Sequence, residues 1–70
     1  MNWNQVKGNW KQVKGRVKQE WGDLTDDQLT KIEGHRDRLV GELQETYGIA
    51  QEEADRRVRA WETRQEAKVA

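Results

Sequence analysis

The chain has seventy residues, of which 33% are hydrophobic and 37% charged, with four Trp, one Tyr, no Cys and a mean hydropathy of −1.26. That length permits one small domain with a thin core, the aromatics argue against a mostly disordered chain, and the lack of Cys excludes a disulfide framework or a thiolate zinc site. No apolar run approaches the roughly 18 residues of a membrane span and no signal-peptide apolar region opens the chain, so the expected location is the cytoplasm. Formal charge is zero but unevenly laid out: residues 1–21 carry Lys7, Lys11, Lys14, Arg16 and Lys18 against Glu20, and the other 49 residues carry 8 basic and 12 acidic side chains. Such asymmetry fits either two parts of one fold that attract each other or a basic arm for an acidic partner.

The first element opens with a repeat. Asn2–Gly8 and Asn9–Gly15 match at six of seven positions. Seven residues are close to two helical turns, so both copies present the same face. Trp3, Val6, Trp10, Val13, Val17 and Trp21 fall within an arc of about 80° at the helical period, a narrow apolar stripe. Lys7, Lys11, Lys14 and Lys18 run along one edge of it. The spacing predicts one helix over residues 3–21, frayed over 1–7 because Gly8 interrupts it.

The second helix should begin at Thr25, where Thr25 and Gln28 form a capping box, Asp26 and Asp27 favour the positive end of the dipole, and Leu24 and Leu29 occupy the staple positions. It carries Leu29 and Ile32 to Gly34. A third helix over 35–47 repeats Leu39, Val40, Leu43 and Tyr47 and stops at Gly48; the second and third could equally be one helix bent at Gly34. The fourth, over 50–64, carries Ala50, Ala54, Val58 and Trp61, with a frayed tail over 65–70.

Chemistry finds little foothold. With no Ser, no Cys and one His, nucleophilic catalysis lacks its parts. His35 stands among Glu33, Arg36 and Asp37, short of a metal or catalytic cluster, and reads as a surface His beside a turn. Asp26–Asp27 and Glu52–Glu53 sit at helix starts, where acidic residues serve the helix dipole. No catalytic, cofactor-binding or metal-binding residues are expected, and no small-molecule substrate. Lys beside Trp on one helix suits phosphate contacts with stacking, or an interfacial amphipathic helix. Against both, the Trp share their stripe with Val and the chain as a whole is neutral. A nucleic-acid-binding or membrane-surface-binding module built on the basic N-terminal helix therefore stands as the alternative, and its candidate surface is Trp3, Val6, Lys7, Lys11, Lys14 and Lys18.

The string Gly8-Asn9-Trp10-Lys11-Gln12-Val13-Lys14-Gly15 resembles the opening signature of the CsbD-like family of small bacterial proteins. Trp21–Asp27 resembles its next block, and Ile32–Gly41 with Tyr47-Gly48 its middle block. Trp61-Glu62-Thr63-Arg64 is similar to the end of the YjbJ-like branch. The resemblance covers about residues 8–64, so the first repeat copy lies ahead of the usual start near Gly8. It implies a small helical bundle similar to SAM domains and expression in the general stress response, without catalytic residues. High Gly with high hydrophilicity also resembles the hydrophilins, proteins linked to protection against water loss.

These readings combine into one all-α domain over residues 1–70, a four-helix bundle expected to be a monomer without cofactors. Its expected core is Trp10, Val13, Val17, Trp21, Leu24, Leu29, Ile32, Leu39, Val40, Leu43, Tyr47, Ala54, Val58 and Trp61. The expected function is non-enzymatic, in bacterial stress, through hydrophilin-like protection of other macromolecules.

Overall fold

The start and stop signals written in the chain are used. Thr25 Oγ1 accepts from the Gln28 N–H at 3.1 Å and Gln28 Oε1 accepts from the Thr25 N–H at 2.9 Å, closing the capping box. Leu24 and Leu29, the staple pair, are both buried. At the far end of this helix Glu33 and Gly34 turn left-handed, with φ of 50° and 82°, and Gly48 does the same after the next helix, with φ of 62°. A computed structural model of the chain describes residues 1–69, with side chains for residues 1–67. Among the described residues it is all-helical: α1 (Trp3–Gly8), α2 (Trp10–Glu20), α3 (Asp26–Ile32), α4 (Arg36–Tyr47) and α5 (Gln51–Val69).

Five helices replace the expected four because the first predicted helix breaks at Asn9. Gly8 weakens the helix locally, and Asn9 leaves helical geometry at φ −113° and ψ 24°. The break loses few backbone bonds. The Asn9 N–H donates to the Gln5 and Val6 carbonyls, and the Asn9 carbonyl accepts from Gln12 and Val13. What the bend allows is contact. Helix α1 settles against the turn between α3 and α4, so closely that a Cβ on Gly34 would lie 2.7 Å from Lys7 Cα. Gly34 is therefore required twice, for its positive φ and for the absence of a side chain.

The core gathers Val17, Trp21, Leu24, Leu29, Ile32, Leu39, Val40, Leu43, Ala54, Val58 and Trp61. Helix α4 packs most extensively on α5, and α3 on α4. Three expected core residues, Trp10, Val13 and Tyr47, are instead half-buried and line the core's edge. In the other direction, Val6 of the first repeat copy is buried, only 6% exposed. The bend explains the exchange: it turns α1 inward, and a straight helix would have kept the two copies equivalent. Helix α5 runs past the expected end at Arg64, and Gln65 is buried. Of the tail expected to fray, Ala70 and the side chains of residues 68–69 lie outside the described residues.

Candidate functional site

The six residues singled out as a partner surface do not form one surface. Val6 is buried, and Trp3 is half-buried with its ring 6.3 Å from that of Trp61. Trp61 also meets Trp21 at 5.8 Å, so three indoles lie in series across α1, α5 and the end of α2, their planes tilted by 42° and 49°. Trp3 carries one defect, since among the described residues its buried Nε1–H has no acceptor. Trp10, from the second copy, does have one and donates to the Leu29 carbonyl at 2.9 Å. Equivalent positions in the repeat thus hold different jobs: Trp10 ties α2 to α3, and Trp3 joins the aromatic cluster.

The lysines remain outside. Lys7, Lys11, Lys14 and Lys18 are exposed. Lys11, Lys14 and Lys18 lie within an arc of about 60° on α2 at the helical period. Lys7 joins Lys11 across the bend, where both line a shallow depression of about 340 Å³ with Trp10 and Gln12. The Lys18 ammonium also donates to the Leu24 carbonyl, fastening the end of α2 to the loop before α3. A second, open groove of about 550 Å³ runs between α1, α2 and the end of α5, with Met1, Val6 and Val13 on its apolar side and Gln5, Arg16 and Glu66 around it.

One ionic cluster was not foreseen. Arg36, the first residue of α4, donates to Asp55 at 2.7 Å and to Glu62 at 2.9 Å, both on α5. All three side chains are more than two-thirds covered. Burial pulls the Arg36 guanidinium down, but the bonds to Glu62 and Asp55 outweigh it and leave it above its ordinary value. The hydrogen bond from Arg36 holds Asp55 below the usual carboxylate range, against a smaller opposing effect of burial. Asp55 and Glu62 are two turns apart and so share a face, which the sequence could have told; that Arg36 spans them could not be read, because the partners are 19 and 26 residues away. The cluster joins helices and offers no unpaired acid, base or nucleophile. His35, the residue before α4, makes no side-chain cap bond. Among the described residues no group of three or more His, Cys, Asp or Glu is arranged to hold a metal ion, and no helix is long and apolar enough to cross a membrane.

Comparison with known proteins bears on the same elements. The family model described as CsbD-like matches residues 4–56, from α1 into α5. The chain belongs to the CsbD-like family. The match begins inside the first repeat copy rather than at Gly8, so α1 is part of what the family model describes. The chain is similar to the UPF0337 protein YjbJ of Escherichia coli K12, at 56% identity over 66 residues, covering 94% of this chain and 96% of that protein. It is likewise similar to a UPF0337 protein of Pectobacterium atrosepticum, at 58% identity over 62 residues, covering 89% and 90%. The likeness to the Escherichia coli protein, over 66 residues, therefore extends beyond the Arg36 cluster and through most of α5.

Proposed function

We propose that the chain is a non-enzymatic bacterial stress protein of the cytoplasm that protects other macromolecules through its hydrated surface. The observation that carries this reading is where the apolar residues go. Trp21, Trp61 and the aliphatic core are consumed by the fold, so a chain with 37% charged residues and mean hydropathy −1.26 presents mainly charge and amide to water. Such a surface, with both signs of charge interspersed, stays hydrated. The protein acts as one monomeric domain over residues 1–70, in the SAM-like arrangement that the family resemblance implies. The test is drying. A labile test enzyme dried with a modest excess of this protein should keep more activity than the same enzyme dried with an inert protein of equal mass. Equal survival in the two samples overturns the reading.

A further inference from the structure

Among the described residues, the side-chain cations differ in pairing in a way that the net charge conceals. Arg36, Arg56, Arg57, Arg59 and Arg64 each pair with a carboxylate, at 2.7–3.1 Å. Among the described residues, Lys7, Lys11, Lys14 and Arg16 have no carboxylate partner, and Lys18 is bonded to a backbone carbonyl. Helix α2 has a single acidic residue, Glu20, and Arg64 of α5 holds it at 2.7 Å. Lys31 and Arg38 also lack carboxylate partners, but their segments carry Asp26, Asp27, Glu33 and Asp37. On the face of α1 and α2 these cations therefore stand without a carboxylate partner of their own, the neighbouring acids being Asp23, beside the Leu24 that Lys18 reaches, and Glu33, beside the Gly34 that meets Lys7.

We propose that Lys7, Lys11, Lys14 and Lys18 form a docking face for the phosphate backbone of nucleic acid, bound without regard to sequence. Their geometry suits a strand of phosphates. Lys11 and Lys18 are separated by about 10.5 Å along α2 at the helical rise, Lys14 lies between them, and Lys7 continues the row across the bend. Exposed Gln12 lines the same depression as Lys7 and Lys11 and can donate to phosphate or sugar oxygens. Half-buried Trp10 lies between Lys7 and Lys11 in the depression at the bend. A membrane surface fits less well. An interfacial helix must bury an apolar face in the lipid, and here Val6, Val17 and Trp21 of that face are already 6%, 0% and 4% exposed. Phosphate binding needs only the cations, and they are outside.

Counterion release sets the quantitative expectation, since each neutralised phosphate contributes about −0.9 to the slope of log binding constant against log salt. The intact protein should raise the anisotropy of a labelled duplex of about 20 base pairs, with a slope approaching about −3.6 between about 50 and 200 mM salt. The variant carrying Lys7→Gln, Lys11→Gln and Lys14→Gln should drop to a slope of about −0.9 and bind at least about tenfold more weakly at the low-salt end. A matched variant with Lys31→Gln, Arg56→Gln and Arg59→Gln makes the same change in net charge elsewhere and should keep the steep slope. Circular dichroism of both variants confirms that the helices are retained. Absence of binding at the lowest salt overturns the proposal. So does equal weakening in the two variants, which would assign the effect to net charge alone. Association with vesicles rich in anionic phospholipid, with blue-shifted Trp emission and no binding to the duplex, also overturns it and assigns the face to membranes.

Discussion

Gly34 and Gly48 share a left-handed backbone but differ in what surrounds them, which makes them a controlled pair. A side chain in that conformation costs about 1–2 kcal/mol at either position. At Gly48 a Cβ would meet nothing within 4 Å, so Gly48→Ala should cost little beyond that strain. At Gly34 it would press on Lys7 Cα at 2.7 Å and Lys7 N at 2.9 Å. Those atoms are backbone, and no rotamer change relieves the overlap. Gly34→Ala should therefore add the roughly 1–3 kcal/mol typical of overpacking. Urea unfolding of the two variants measures the difference, and equal losses would show that the close approach of α1 to the α3–α4 turn contributes nothing. Residue identity mattered similarly at the Trp pair of the repeat. Nothing in six matching positions of seven distinguishes Trp3 from Trp10; the structure separates them through the bend at Asn9, which gives one indole an acceptor and leaves the other's N–H with none among the described residues.

Among the elements, α3 and α4 were the most legible because their signals are local. A capping box, a staple pair and left-handed stops act within a few residues and need no knowledge of the rest of the chain. The break between α1 and α2 was not legible, since a sound apolar stripe runs straight through it; the contact with Gly34, 27 positions after Lys7, decides the bend. The candidate surface failed in part for the same reason, as Trp3 and Val6 were drawn inward by that contact and only the lysines kept their places. Arg36 shows how elements are joined at longer range. Pairs within α5, such as Arg57 with Glu53, contribute only about 0.3–0.5 kcal/mol each, but the Arg36 clamp fixes α4 against α5. Its acid limb is titratable. Asp55 has a lowered folded pKa, so its contribution is fully present above the ordinary value of 3.8 and is lost as pH falls through the folded value. Wild type and Asp55→Asn should thus differ in unfolding free energy at neutral pH and converge in acid. A gap that persists at low pH would detach that contribution from the carboxylate's charge.

Over the whole molecule, stability of roughly 0.05–0.15 kcal/mol per residue leaves a chain of this size only a few kcal/mol. One side chain holds a large part of it. Trp61, 1% exposed, touches both Trp3 near the start and Trp21 at the end of α2. Trp61→Ala should cost about 3–5 kcal/mol and unfold much of the population. Trp3→Ala should cost clearly less, because Trp3 is half-buried and its orphan N–H already offsets about 1–3 kcal/mol of its packing. Thermal or urea melts followed by far-ultraviolet circular dichroism measure both, and a larger loss at Trp3 would contradict the ranking. The same series of indoles has an optical consequence. Chromophores with ring centres 5.8 and 6.3 Å apart couple their transitions, while Trp10 stands outside that series, bonded to Leu29. Lifting α1 away would uncouple Trp3 and leave the Trp21–Trp61 pair intact, so the protein's own dichroism and emission distinguish a lost first helix from a lost fold without any added label.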